Sequence, residues 1–214
     1  MIGIDFESVS IKESGESLVD LAGYDFVLDA QYHNMGLSTD DRMFLRRGVA
    51  EKLSRIQEKL GRYKFKVWDG YRPRSVQKSV YRKFWRETEK AHPDWNTDQI
   101  KNEVEKYVSL PDDPGRIPPH STGGAVDLTL VDLDGRELDM GTVFDSFQET
   151  AAALYYEEHE GSEVVRNNRR ILREAMIAAG FLPYPHEWWH YDYGDQVWAH
   201  VLKKPFAIYG EIQL

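Results

Sequence analysis

Across residues 41–61 the apolar positions Leu45, Val49, Leu53, Ile56 and Leu60 recur at steps of four, four, three and four. That spacing is one buried face of a helix. Asp40 and Asp41 give it acidic N-terminal signals, and Gly61 a stop. Residues 64–69 alternate like a half-buried strand before the turn Gly70-Tyr71-Arg72-Pro73. A second helix is predicted over 74–91, carrying Val76, Val80, Phe84 and Trp85. Residues 92–119 are polar and hold Pro93, Pro111, Pro114, Pro118 and Pro119, which suggests a short helix over 97–108 followed by an irregular loop of functional interest. Residues 125–133 are the clearest strand, and Asp134-Gly135 has the chemistry of a tight hairpin turn. The last helix is predicted over 163–179, with Val164, Ile171, Leu172, Ala175 and Met176, closed by Gly180. Residues 1–38 and the stretch after residue 187 suggest short strands and turns. Helices early and late, with hairpin-linked strands between and after them, predict one α+β domain over residues 1–214. Its central antiparallel sheet is flanked by helices.

Composition narrows the chemistry. The chain has 214 residues, 41% of them hydrophobic, and no cysteine. A chain of this length buries roughly 70% of its unfolded surface, so it folds without disulfides or structural metal. Missing cysteine removes thiolate zinc sites, iron–sulfur clusters and thiol nucleophiles together, so any transition metal must be held by histidine and carboxylate. The formal charge of −9 argues against a partner bound along nucleic-acid phosphates. No stretch approaches the roughly 18 apolar residues of a membrane span. The N-terminal residues, Met1 to Ser8, are acidic and lack an apolar leader core, so the expected location is the cytoplasm.

Of the seven histidines, His33, His92, His159 and His200 stand alone and read as surface or core residues. The others keep denser company. His120-Ser121-Thr122-Gly123-Gly124 leads into a strand that contains Asp127; the paired glycines permit tight geometry there. An acid inside an apolar strand is paired or metal-bound if buried, or faces water from an edge strand. In His186-Glu187-Trp188-Trp189-His190, imidazole and carboxylate sit beside large rings. That suits a water-excluding metal site, or a core strand with solvated polar residues. Together the clusters offer two imidazoles, a carboxylate and a spare carboxylate, the pattern of a catalytic zinc site with one open position. Glu187 and His190 are three apart, so a regular strand would turn them to opposite faces. They share a site only if the strand is bulged, begins between them, or receives Glu187 from a loop.

The run His120-x2-Gly123-x-Ala125-x-Asp127, followed by Glu187-x-Trp189-His190, resembles the zinc D-alanyl-D-alanine dipeptidases of the VanX type. These belong to a wider group with lysostaphin-like enzymes, D-Ala-D-Ala carboxypeptidases and the hedgehog zinc domain. Trp68-Asp69-Gly70-Tyr71-Arg72-Pro73, Met140-Gly141-Thr142-Val143-Phe144-Asp145 and Asn168-Arg169-Arg170 extend the resemblance over roughly residues 20–195. It implies one zinc ion per chain on His120, Asp127 and His190, with Glu187 as general base and then acid. Arg72 would stabilise the oxyanion, and Asp145 would hold the substrate's ammonium. Trp189 and Tyr71 are expected to shape the substrate pocket, Trp188 to be core, and His186 to face solvent.

One departure concerns substrate anchoring. The family's Ser two residues before the first zinc histidine is replaced by Pro118, which has neither hydroxyl nor N–H. Residues 28–42 also match only loosely. The leading expectation is hydrolysis of D-alanyl-D-alanine, or a closely related D-amino-acid dipeptide, to free amino acids. The alternatives are a peptidoglycan carboxypeptidase or endopeptidase of the wider group, and a zinc-binding module without catalysis. Retention of both Glu187 and Arg72 argues against the last. Oligomeric state is not legible in the sequence.

Overall fold

A computed structural model of the chain describes residues 8–113 and 115–212. Residues 1–7, most of the segment read for a leader, and Pro114 lie outside them. From the N-terminal side come β1 (Leu18–Asp20), β2 (Val27–Leu28), the single-turn helix α1 (Gln31–Asn34) and β3 (Phe44–Arg46). Helix α2 (Arg47–Leu60) leads into β4 (Tyr63–Asp69), α3 (Arg74–Ala91) and α4 (Thr97–Val104). A 3-10 turn over Pro119–Thr122 precedes β5 (Val126–Asp132), and α5 (Tyr155–Glu158) and α6 (Glu163–Ala178) follow. The remaining elements are β6 (Leu182–Pro183), β7 (His190–Asp192) and α7 (Gln196–Val201).

Five strands form one sheet in the order β2-β4-β5-β7-β6. Its pairs are antiparallel, except that edge strand β2 runs parallel to β4. The sheet is therefore mixed at one edge. Strands β1 and β3 make a separate antiparallel pair. Central β5 is buried from Val126 to Val131, so Asp127 is not on a water-facing edge. Val49 and Leu53 of α2, Val80 and Phe84 of α3, and Leu172 and Met176 of α6 join β4 and β5 in one apolar core.

Two helical predictions shift. Helix α2 begins at Arg47, not near residue 41, because residues 44–46 pair with β1. Leu45 is fully buried as predicted, but from the strand. On α6 the inward positions are Val165, Arg169, Leu172 and Met176, whereas Val164 is exposed. A buried arginine thus occupies a core-facing position that hydrophobic periodicity does not register. The short helix after residue 92 ends at Val104; Asn96 and Gln99 cap its start reciprocally.

Buried Arg46 ties the ends of the fold to the turn before β5. Its Nε donates to the Thr122 carbonyl at 2.7 Å, Nη1 to the Glu16 carbonyl at 2.6 Å, and Nη2 to the Gly210 carbonyl at 3.1 Å. Glu13 accepts from the same guanidinium at 3.0 and 3.1 Å. Removing the cation orphans several buried acceptors, each costly to leave unpaired. Arg46→Met is expected to lower the unfolding free energy by about 3 kcal/mol, read as a fall in the urea midpoint with unchanged slope.

Candidate active site

The site lies where β4, β5 and β7 meet the turn before β5. Gly123, at a φ of 70°, ends that turn in the left-handed region, which glycine enters without strain. At Gly124 a side chain would meet the Tyr193 carbonyl at 2.2 Å, so both glycines are required for His120 to precede the strand so closely. In β4, Trp68 is an extra residue: Val67 pairs with Leu128 and Asp69 with Asp127. That bulge sets Asp69 opposite Asp127 and re-aims the end of the strand toward the site.

His120, Asp127 and His190 converge, all of them buried. His120 Nε2 lies 3.2 Å from His190 Nδ1, Asp127 Oδ1 is 2.9 Å from His190 Nδ1, and Asp127 Oδ2 is 3.3 Å from His120 Nε2. Ligand bonds of about 2.0–2.2 Å at tetrahedral angles put donor atoms roughly 3.3 Å apart, so the set fits a zinc-sized ion. The outer nitrogens fix the tautomers. His120 Nδ1 donates to the Gly70 carbonyl at 2.8 Å, and His190 Nε2 donates to Asp192 Oδ1 at 2.8 Å. The free nitrogens then face one another across the ligand position.

Electrostatics point the same way. Burial disfavours a charged His190, but Asp192 and Asp127 outweigh it and push its pKa well above the ordinary imidazole value. Burial raises the Asp127 carboxyl, yet His120 and His190 overcome that and hold it far below the usual carboxylate range. The cluster draws positive charge onto His190, and a divalent cation would satisfy the same field.

Glu187 shares the cleft with this group. Strand β7 begins at His190, so Glu187 reaches in from the preceding turn, where Tyr184 N–H donates to the His190 carbonyl at 3.0 Å. That settles the three-residue spacing: the strand starts between the two residues. Burial, reinforced by Asp127 and Asp145, raises the Glu187 carboxyl well above its usual value, against His190 and Arg72. Arg72 is buried, not a surface turn residue. Its Nε donates to Asp69 at 2.8 Å and Nη1 to Gln77 at 3.0 Å, while Nη2 lies 3.4 Å from Asp127. Its guanidinium also sits 4.4 Å over the Tyr32 ring. Arg72 N–H donates to the His120 carbonyl, and Ser121 Oγ to the Arg72 carbonyl, locking the arginine turn to the histidine turn.

The D-ala-D-ala dipeptidase family profile matches residues 33–209. The chain belongs to this family. A D-alanyl-D-alanine dipeptidase of Synechocystis is 29% identical over 96% of each chain. One from Enterococcus faecium is 33% identical over 69% of this chain and 72% of that protein. A crystal structure of the vancomycin-resistance D,D-pentapeptidase VanY with Zn(II) aligns with TM-score 0.49 at 15% identity, covering 94% of this chain and 96% of that one.

Within this dipeptidase-family site, the cleft has about 590 Å³ of empty space including its mouth. It is lined by His120, Asp127, His190, Glu187, Arg72 and Asp145 among others. Trp189 and Tyr71, expected to touch substrate, do not line it. Trp189 alternates away from His190 and packs on Phe144 and Trp188. Tyr71 turns away from Arg72, and its hydroxyl donates to the Ile212 carbonyl at 2.9 Å. Trp188 is core and His186 is exposed, as expected. His33, His92, His159 and His200 are all exposed.

Sequence reasoning missed Asp69, Gln77, Tyr32 and Asp192. Of these, Asp192 left a usable signal: two residues beyond His190 in a strand, it shares that residue's face. Asp192→Asn is expected to weaken zinc binding by about 10- to 100-fold, measured by chelator competition, because His190 loses the anion that orients it.

Proposed function

We propose that this member of the family hydrolyses D-alanyl-D-alanine, or a closely related D-amino-acid dipeptide, to free amino acids, using one zinc ion on His120, Asp127 and His190. The observation that carries the reading is the convergence of those three donors with a buried glutamate and a buried arginine in one cleft. Zinc at that position supplies Lewis acidity, lowering the pKa of water and polarising a carbonyl.

The chain's own residues do the rest. Glu187 takes a proton from the attacking water as its oxygen bonds to the scissile carbonyl carbon, then delivers a proton to the amide nitrogen as the C–N bond breaks. Burial lifts its basicity toward the range such a shuttle uses near neutral pH. Arg72 faces the oxygen on which negative charge grows. Held by Asp69, Gln77, Asp127 and the Tyr32 ring, its guanidinium needs no reorganisation at that moment.

Asp145 supports the preference for a free N-terminus. Its Oδ1 accepts from the Tyr32 hydroxyl at 3.2 Å, while its buried Oδ2 has no hydrogen-bond partner among the described residues. The residue sits at a φ of 57°, an uncommon conformation for a residue other than glycine. Burial, with Asp127 adding to it, pushes its carboxyl up to about 7 against the opposing charge of Arg72. A substrate ammonium would fill the vacant acceptor and favour the charged form.

Two measurements test the reading. Glu187→Ala is expected to keep its zinc, by metal analysis, while D-alanyl-D-alanine hydrolysis falls by about 10²- to 10⁴-fold. A zinc-loaded wild type that released no amino acid from any D-containing dipeptide would overturn the dipeptidase reading. Asp145→Asn is expected to narrow the preference for D-alanyl-D-alanine over its N-acetyl derivative by roughly tenfold or more, mainly through KM. An unchanged preference would remove Asp145 from ammonium binding.

A further inference from the structure

Residues 105–109 line the cleft beside the reacting groups. They follow the end of α4 at Val104 and belong to a stretch with no helix or strand among the described residues before Pro119. The N–H groups of Lys106, Tyr107 and Val108 donate back to the end of α4. The carbonyls of Lys106 and Ser109 are taken instead by side chains that line the same cleft. The Tyr184 hydroxyl donates to the Lys106 carbonyl, and Gln77 Nε2 donates to the Ser109 carbonyl at 2.8 Å. Just beyond, Arg74 donates to the Pro111 carbonyl and pairs with Glu211. A segment without regular structure takes its place from such outside donors, so this wall of the cleft is seated by a few named side chains.

Gln77 does more than hold the wall. It sits in the first turn of α3, five residues beyond Arg72, and is only 2% exposed. Its Oε1 accepts from Arg72 Nη1 at 3.0 Å while its Nε2 is spent on Ser109. A guanidinium only donates and a carbonyl only accepts, so the amide satisfies both partners in one orientation alone. The Ser109 carbonyl thereby fixes which end of the amide Arg72 meets. Three side chains accept from Arg72, and two of them, Asp69 on β4 and Asp127 on β5, are carboxylates. Gln77 is the neutral one. It orients the guanidinium without setting a further negative charge against the positive charge that a growing oxyanion requires. One line of contacts therefore runs from Arg72 through the Gln77 amide to the cleft wall.

We propose that Gln77 is a positioning residue for the reaction: it braces Arg72 against the 105–109 wall, so that the arginine is fully aligned on the reacting carbonyl only when that wall is seated. This rests on the dipeptidase reading above and on the oxyanion role of Arg72 within it. Gln77 acts through the arginine, so its effect falls on the transition state and not on the binding of substrate.

The test follows D-alanyl-D-alanine hydrolysis by zinc-loaded protein. Gln77→Met, similar in length but with neither donor nor acceptor of comparable strength, is expected to lower kcat by roughly tenfold, the worth of one hydrogen bond to a charged group, while KM changes by less than about threefold. Amide hydrogen exchange across residues 105–109 should quicken in the same variant. In an Arg72→Met background, Gln77→Met should cost less than about twofold further, because no guanidinium is left to position. Gln77→Asn keeps the amide but is one methylene short of spanning both partners, and should show the same pattern to a smaller degree. Zinc content and far-ultraviolet circular dichroism report folding; if the methionine variant does not fold, the asparagine variant carries the test. Folded variants with wild-type kcat, with wild-type exchange across the wall, or with an undiminished cost in the Arg72→Met background would overturn the role of Gln77 while leaving the dipeptidase reading intact. A wild type that cleaves no D-containing dipeptide sinks the dipeptidase reading, and this role with it.

Discussion

Surplus negative charge, buried at the ends of three strands, is the constraint around which the molecule is arranged. Asp69, Asp127 and Asp192 are all nearly inaccessible and press on two imidazoles and one guanidinium. Buried carboxylates are tolerated only when paired and hydrogen-bonded. Each neighbouring feature supplies part of that pairing: Arg72 between Asp69 and Asp127, His190 between Asp127 and Asp192, His120 against Asp69 and Asp127. The adjacency of β4, β5 and β7 is what brings the three acids within reach of one another.

Around this rigid centre the fold grades into loops that carry the substrate-facing charges. Asp145 lies on the long connection after β5, which side chains of α6 fasten. Arg169 of α6 donates to the carbonyls of Met140, Thr150 and Ala152 at 2.7, 2.9 and 3.0 Å and stacks over Trp188. Asn168 adds a bond to the Asp139 carbonyl at 2.9 Å. Precise groups on strands and adjustable groups on fastened loops suit a chemistry that is fixed while the ligand is variable.

The sequence was most informative where one periodicity governed. The strand before Gly70 and helix α3 match the alternation and 3.6-residue pattern that predicted them, and β5 matches its predicted span although it is buried on both faces. It was less informative where tertiary pairing overrode local preference. Phe44 to Arg46 continue a helical pattern yet pair with β1, and Arg169 occupies a core-facing position that no hydrophobic scale marks. Site residues divide in the same way. Two clusters and the family resemblance pointed to His120, Asp127, Glu187, His190, Arg72 and Asp145, which line one cleft. Trp189 was assigned by its place beside His190, and adjacency in extended backbone turns a side chain the opposite way; the Tyr71 hydroxyl is taken up by the Ile212 carbonyl. Asp69 and Gln77 become intelligible only once Arg72 is known to be buried.

The Trp68 bulge and the strand order also bear on how the protein comes into being. His190 meets Asp127 across 63 residues of sequence, and His120 meets the Gly70 carbonyl across 50. His120 and Asp127 come from one turn-and-strand segment, but His190 joins them only when β7 pairs with β5. Loop-closure entropy must therefore be overcome before a cation can contribute anything to stability. The complete donor set is thus a property of the paired sheet: a chain without β7 in place would offer an ion only His120 and Asp127.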